Sequence, residues 1–131
     1  MSVAVRYFSR SGNTKALAEG IAKAAGVKAI SVDIPGSQIR QPVDVLFIGG
    51  ALYYYGIDSH LVEFIEVLPA KHVKKAVVFS TSMISKHAVS IIKKRLDEKG
   101  IPVEEEYFYN RGKPDSSKLK EAEKFVQKHL K

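Results

Sequence analysis

The chain has 131 residues, 45% hydrophobic and 27% charged, with 21 basic side chains against 14 acidic ones and a formal net charge of +7. That length carries one domain with one core, and the composition is that of an ordinary water-soluble globular protein. The lack of cysteine excludes disulfides, thiolate metal sites and cysteine nucleophiles, and with neither a membrane-length apolar run nor a signal-peptide h-region the expected location is the cytoplasm.

Val3-Ala4-Val5-Arg6-Tyr7-Phe8 is a strand-like run that stops at Ser9-Arg10-Ser11-Gly12-Asn13-Thr14. Beyond it, Leu17, Ala18, Ile21, Ala22 and Ala25 mark one face of a helix. A strand–turn–helix with hydroxyls at the turn suits a phosphate. The free N–H groups at the helix start point at the anion, and the helix dipole favours negative charge there. Ser9, Ser11 and Thr14 add hydroxyl donors, and Gly12 lets the backbone approach closely. The duller reading is a simple turn with a helix cap, since the same residues are favoured there.

Val27 to Val32 reads as a second strand, followed by a linker bracketed by Pro35 and Pro42 with little helical signal. Val45-Leu46-Phe47-Ile48 reads as a strand buried on both faces, ending at Gly49-Gly50. The loop that follows leads to a helix capped by Asp58 or Ser59, with Leu61, Phe64, Ile65 and Leu68 inward. Ala76-Val77-Val78-Phe79 is another buried strand, stopping at Ser80-Thr81-Ser82. A helix with Ala88, Ile91, Ile92 and Leu96 ends at Gly100 and Pro102. Val103 to Tyr109, with three consecutive glutamates, suits an exposed edge strand. The last helix starts near Ser116 and turns Leu119, Ala122, Val126 and Leu130 inward.

Strands alternating with helices predict an α/β domain over 1–131, a doubly wound five-stranded parallel sheet with helices on both faces. In the order 2-1-3-4-5 the first, third and fourth strands are adjacent. The loops Ser9–Thr14, Gly49–Gly56 and Ser80–Ser85 then meet at one site outside the C-terminal strand ends.

Over nearly its whole length the chain resembles the flavodoxin family. Ser9-Arg10-Ser11-Gly12-Asn13-Thr14 fits the family's FMN-phosphate pattern Ser/Thr-x-Ser/Thr-Gly-x-Thr. Gly49-Gly50-Ala51-Leu52-Tyr53-Tyr54-Tyr55-Gly56 looks like its first flavin-ring loop, and Ser80-Thr81-Ser82-Met83 stands in place of the second. The resemblance implies FMN as cofactor, with Ser9, Arg10, Ser11, Gly12, Asn13 and Thr14 on the phosphate. Ala51, Leu52, Tyr53, Tyr54, Tyr55 and Gly56, with Ser80, Thr81, Ser82 and Met83, would line the ring. It also implies that a backbone carbonyl at Gly56 turns toward the reduced flavin.

The implied function is electron transfer through bound flavin, to a redox partner protein or a small-molecule acceptor. Alternatives are a small FMN-dependent oxidoreductase, quinone reductase-like or protoporphyrinogen oxidase-like, and a flavin-free interaction module of the same fold. The tyrosines serve a subunit contact as readily as a flavin, and a monomer or weak homodimer is expected. No side chain stands out as a catalytic proton donor.

The four histidines, His60, His72, His87 and His129, have no ligand spacing and read as surface residues rather than a metal site. Members of the resembled family are strongly acidic, so the +7 charge is a departure. Lys71, Lys74, Lys75, Lys86, Lys93, Lys94, Arg95 and Lys99 face only Asp97 and Glu98 in their segment; without a nucleic-acid motif they read as a solvated face. No Walker loop and no Gly-x-Gly-x-x-Gly turn occurs. A tyrosine phosphatase would need a loop cysteine, and a receiver domain acidic residues where Ser9-Arg10 and Gly49-Gly50 stand.

Overall fold

In a computed structural model, which describes residues 1–53, 56–83 and 85–130, strands and helices alternate along the chain. The strands are β1 (Val3–Tyr7), β2 (Ala29–Ser31), β3 (Val43–Gly50), β4 (Val73–Ser80) and β5 (Val103–Tyr109). The helices are α1 (Asn13–Ala25), α2 (Ser59–Val67), α3 (His87–Glu98) and α4 (Ser116–His129). All neighbouring strands pair in parallel, in the order β2-β1-β3-β4-β5 expected from the sequence.

The period-two alternation of the buried strands divides the core between the two faces of the sheet. Val5, Val45, Phe47, Val77 and Phe79 pack with Leu17, Ile21, Ala122 and Val126 of α1 and α4. Leu46, Ile48, Ala76 and Val78 pack with Leu61, Phe64, Ile92 and Leu96 of α2 and α3. Phe47 and Phe79 are wholly buried, each contributing roughly 1.5–3 kcal/mol by leaving water.

Three departures from the sequence reading have local causes. β2 is shorter than Val27–Val32 because α1 ends in a cap in which the Val27 amide donates to Ala22 O at 3.0 Å. β3 runs through Gly49 and Gly50, so both glycines belong to the strand rather than to the loop after it. They make room on opposite faces: a Cβ at Gly49 would strike the Phe79 ring, and one at Gly50 would lie 2.7 Å from Leu61. His129 is buried rather than on the surface, with its ring 4.6 Å from that of Phe125. Residues 122, 126 and 129 recur at helical spacing, so His129 shares the inward stripe of α4. Burial holds its imidazole below the ordinary pKa.

The crossover from β2 to β3 carries no helix, as the linker composition suggested. Arg6, read as part of an apolar strand, anchors that segment instead. Its Nε donates to Ser37 O at 2.5 Å, while Ser37 Oγ donates to Val32 O at 3.0 Å. Farther along, His72 Nδ1 donates to Ile39 O at 2.9 Å. Burial lowers the Arg6 pKa from its ordinary value. β5 is the edge strand, and its glutamates are partly taken up by Lys75 on Glu104 at 3.1 Å and Lys128 on Glu106 at 2.8 Å.

Candidate cofactor-binding site

Because β1, β3 and β4 are neighbours and parallel, the loops at their C-terminal ends converge. Direct bonds join them. Thr14 Oγ1 and Thr81 Oγ1 share a hydrogen bond of 2.6 Å, tying the first loop to the third. The Arg10 amide donates to Tyr53 Oη at 3.1 Å, tying the first loop to the second.

The first loop is shaped by its hydroxyls. Ser9 Oγ accepts from the Gly12 amide at 3.0 Å, and Ser11 Oγ accepts from the Asn13 amide at 3.4 Å. An oxygen that accepts keeps its own proton for a third party, so both hydroxyls remain available as donors. Gly12, at φ +93°, turns the chain into α1, whose N-terminus has no side-chain cap and no acidic residue in its first turn. The amides of Ser11, Thr14 and Lys15 make no hydrogen bond among the described residues. Free amides and hydroxyl protons around one helix start fit a phosphate monoester. Thr14 lies deeper, 1% exposed and committed to Thr81.

The Arg10 side chain turns toward the second loop. Its guanidinium lies 4.0 Å from the centre of the Tyr53 ring and donates to Asp58 Oδ2 at 3.0 Å (Nε) and 2.6 Å (Nη2). Asp58 also caps α2, accepting from the His60 amide at 2.8 Å, and holds His60 Nδ1 at 2.8 Å. The sequence offered Asp58 or Ser59 as that cap; Asp58 serves, and its second task of anchoring Arg10 was not foreseen. Burial pushes the Asp58 carboxyl up, but the hydrogen bonds from the His60 amide, Arg10 and the His60 ring outweigh it and hold the group below the usual carboxylate value.

A lowered folded-state pKa gives stabilisation that is complete above the ordinary value of 3.8 and is lost as pH falls through the folded value. Asp58→Asn is therefore expected to be less stable than the parent at pH 7, with the gap closing below pH 3.8. Urea midpoints measured across that range check it; a gap independent of pH would show that the charge contributes nothing.

In the second loop the Tyr53 amide donates to Gly56 O at 2.7 Å and the Gly56 amide to Tyr53 O at 3.0 Å. The Gly56 carbonyl is already held by the Tyr53 amide. Ala51, Leu52 and Tyr53 are partly exposed at this end of β3. Tyr54 and Tyr55, also expected at the ring, lie outside the described residues.

In the third loop Ser80, Thr81 and Ser82 are buried while Met83 is 55% exposed. Ser82 Oγ is buried without a hydrogen-bond partner among the described residues. A fourth loop, missed in the sequence, braces this one. Asn110 N donates to Ser80 O at 3.0 Å, Gly112 N to Thr81 O at 3.2 Å, and Tyr109 Oη to Ser82 O at 2.5 Å. The signal was present: Asn110-Arg111-Gly112-Lys113-Pro114 is turn-rich and follows a strand, at the same sheet end as the other loops.

A separate concavity of about 330 Å³ lies between Ile39, Phe64, Val67, Leu68 and His72. It sits where α2 returns toward the start of β4, at the opposite end of the strands from the converging loops.

A family profile described as Flavodoxin domain matches residues 4–131. No curated protein sequence matches the chain. Solved structures do. A flavodoxin from the domain Archaea superposes with a TM-score of 0.83 at 24% identity, covering 96% of this chain and 94% of the other. Flavodoxin 1 from Bacillus cereus gives 0.79 at 19% identity, with coverages of 99% and 97%. Rubredoxin oxygen:oxidoreductase from Desulfovibrio gigas gives 0.83 at 15% identity; 95% of this chain is covered, but it spans only 34% of that larger protein. At these identities the structural likeness establishes the fold. Among the described residues no helix is long and apolar enough to cross a membrane.

Proposed function

The chain belongs to the flavodoxin-domain family, and from that premise we propose that it carries electrons on an FMN held across the ends of β1, β3 and β4. Family membership implies FMN as cofactor and electron transfer to redox partner proteins. Bound FMN supplies one- and two-electron transfer; the chain's part is to bind, orient and tune.

The observation that carries the reading is the set of free amides and hydroxyl protons at Ser9, Ser11, Thr14 and Lys15, grouped at one helix start. Gly12 and Asn13 shape that cradle. Arg10 braces it through Asp58 and Tyr53 rather than contributing its charge directly to the anion. The second and third loops, from Ala51 to Gly56 and from Ser80 to Met83, form the walls for the ring. Ser82 Oγ has no hydrogen-bond partner there among the described residues.

The test is cofactor choice. The purified protein should be yellow, and the apoprotein should bind FMN in a 1:1 ratio, at least about a hundredfold more tightly than riboflavin. The margin follows from two or more charge-assisted bonds of about 1.5–3 kcal/mol each, at 1.4 kcal/mol per decade. FAD, whose phosphate is esterified onward, should also bind more weakly. Riboflavin binding as tightly as FMN would reduce Ser9–Thr14 to a helix cap. A chain taking up no flavin at all would be an interaction module of this fold.

A further inference from the structure

We propose that the strand-end face carrying the third and fourth loops is a docking surface for an acidic redox protein; the inference rests on the flavin reading above and concerns the partner. Lys86, Arg111 and Lys113 surround the Ser80–Met83 loop, all three are exposed, and none is paired with a carboxylate among the described residues. Their positions are fixed by the fold. Arg111 and Lys113 flank Gly112, which is bonded to Thr81 O, and Asn110 Nδ2 closes the same turn on Gly112 O at 3.0 Å. The Lys86 ammonium lies 5.9 Å from the centre of the Tyr107 ring and 5.7 Å from that of Tyr109, whose hydroxyl is bonded to Ser82 O.

Carboxylates near the third and fourth loops are outnumbered by these three cations, and the exposed Asp33 lies beyond β2, at the far side of the sheet from β4 and β5. Asp58 is buried and bound by Arg10. Asp115, the one exposed carboxylate in the fourth loop's segment, is held at the start of α4 by the Lys118 amide at 2.8 Å, against Arg111 and Lys113 in the same segment. α3 has no acidic residue in its first turn, so its positive helix end adds to the same field. The centre of the patch is apolar: Met83 stands exposed beside Gly112. An apolar centre with a charged rim is how protein docking sites are built, and a cationic rim selects an anionic partner and speeds its encounter.

The other basic cluster is a weaker claimant. On α3, Lys93 donates to Glu105 O at 2.5 Å and Lys99 to Glu66 O at 2.7 Å, so these ammonium groups are tied to the protein's own carbonyls on its flank. The two surfaces can be told apart by experiment. Poly-L-glutamate, titrated into the FMN-loaded, isotopically labelled protein at low salt, should shift amide resonances at 82–86 and 109–113. Those shifts should vanish at high salt and be abolished in Arg111→Glu/Lys113→Glu.

In stopped flow, oxidation of the reduced holoprotein by ferricyanide should slow by about tenfold or more as salt rises, while oxidation by hexaammineruthenium(III) should not. Shifts centred on Lys93–Lys99, no shifts, or equal salt dependence for the two acceptors would overturn the assignment. The titration reads the surface whether or not flavin is bound. Absorbance during loading reads the flavin proposal separately, so the two fail independently.

Discussion

Replacing Ser9 and Ser11 together with alanine should weaken FMN binding by at least about a hundredfold while leaving the fold intact. Each hydroxyl oxygen accepts from a backbone amide, Ser9 from Gly12 and Ser11 from Asn13, so each proton is free for the anion. A hydrogen bond to a charged group contributes about 1.5–3 kcal/mol, and losing two costs at least about two decades of affinity. The same substitutions release the Gly12 and Asn13 amides, so the loop could also lose its shape. Riboflavin separates the two causes. If the hydroxyls donate to the phosphate, riboflavin affinity stays near the parent value while FMN affinity falls. If the loop is merely distorted, both fall together. Fluorescence titration of the apoprotein measures both constants, and an unchanged FMN constant would remove Ser9 and Ser11 from the site.

The topology was legible because the core strands announce themselves twice. Val45 to Ile48 and Ala76 to Phe79 are continuous apolar runs, and only a sheet covered on both faces buries every residue of such a run. The phosphate loop was legible because its chemistry is local: strand, turn hydroxyls, glycine and helix lie within about a dozen residues. What escaped were pairings between residues far apart in the chain. Arg6 reads as one more residue of the strand-like run Val3–Phe8; its partner is the carbonyl of Ser37, in a segment without periodic signal. Asp58 was readable as a helix cap, but its hold on Arg10 joins two loops that only the strand order brings together. The brace from Asn110 and Gly112 onto the third loop is of the same kind. His129 is a different lesson, since its place on the inward stripe of α4 was present in the spacing and its chemistry argued the other way.

Glycine-to-alanine substitution at three positions should give three different results, the largest at Gly49. Gly49 lies in central strand β3 opposite Phe79, and an added Cβ would meet the Phe79 ring and stand 2.5 Å from Phe79 O. The ring has nowhere to go in a core where Phe79 is wholly buried, and the carbonyl is part of the β4 backbone. Overpacking costs about 1–3 kcal/mol where side chains alone must shift, and a backbone clash puts Gly49→Ala at or beyond the upper end. By the usual scaling of a few degrees per kcal/mol, the melting temperature should fall by roughly 10 °C. Gly12→Ala meets no atom within 4 Å but is forced to φ +93°, a left-handed strain of about 1–2 kcal/mol. Gly56→Ala meets no atom within 4 Å at a position paired with Tyr53 in an antiparallel bridge, so it should lie within about 0.5 kcal/mol of the parent. Thermal melts of the three variants without flavin test the order. Equal losses at all three would mean that general chain stiffening, not the close approach of β3 to Phe79, governs these positions. A Gly49→Ala protein as stable as the parent would place the Phe79 ring elsewhere and open the sheet end on which the second and third loops stand.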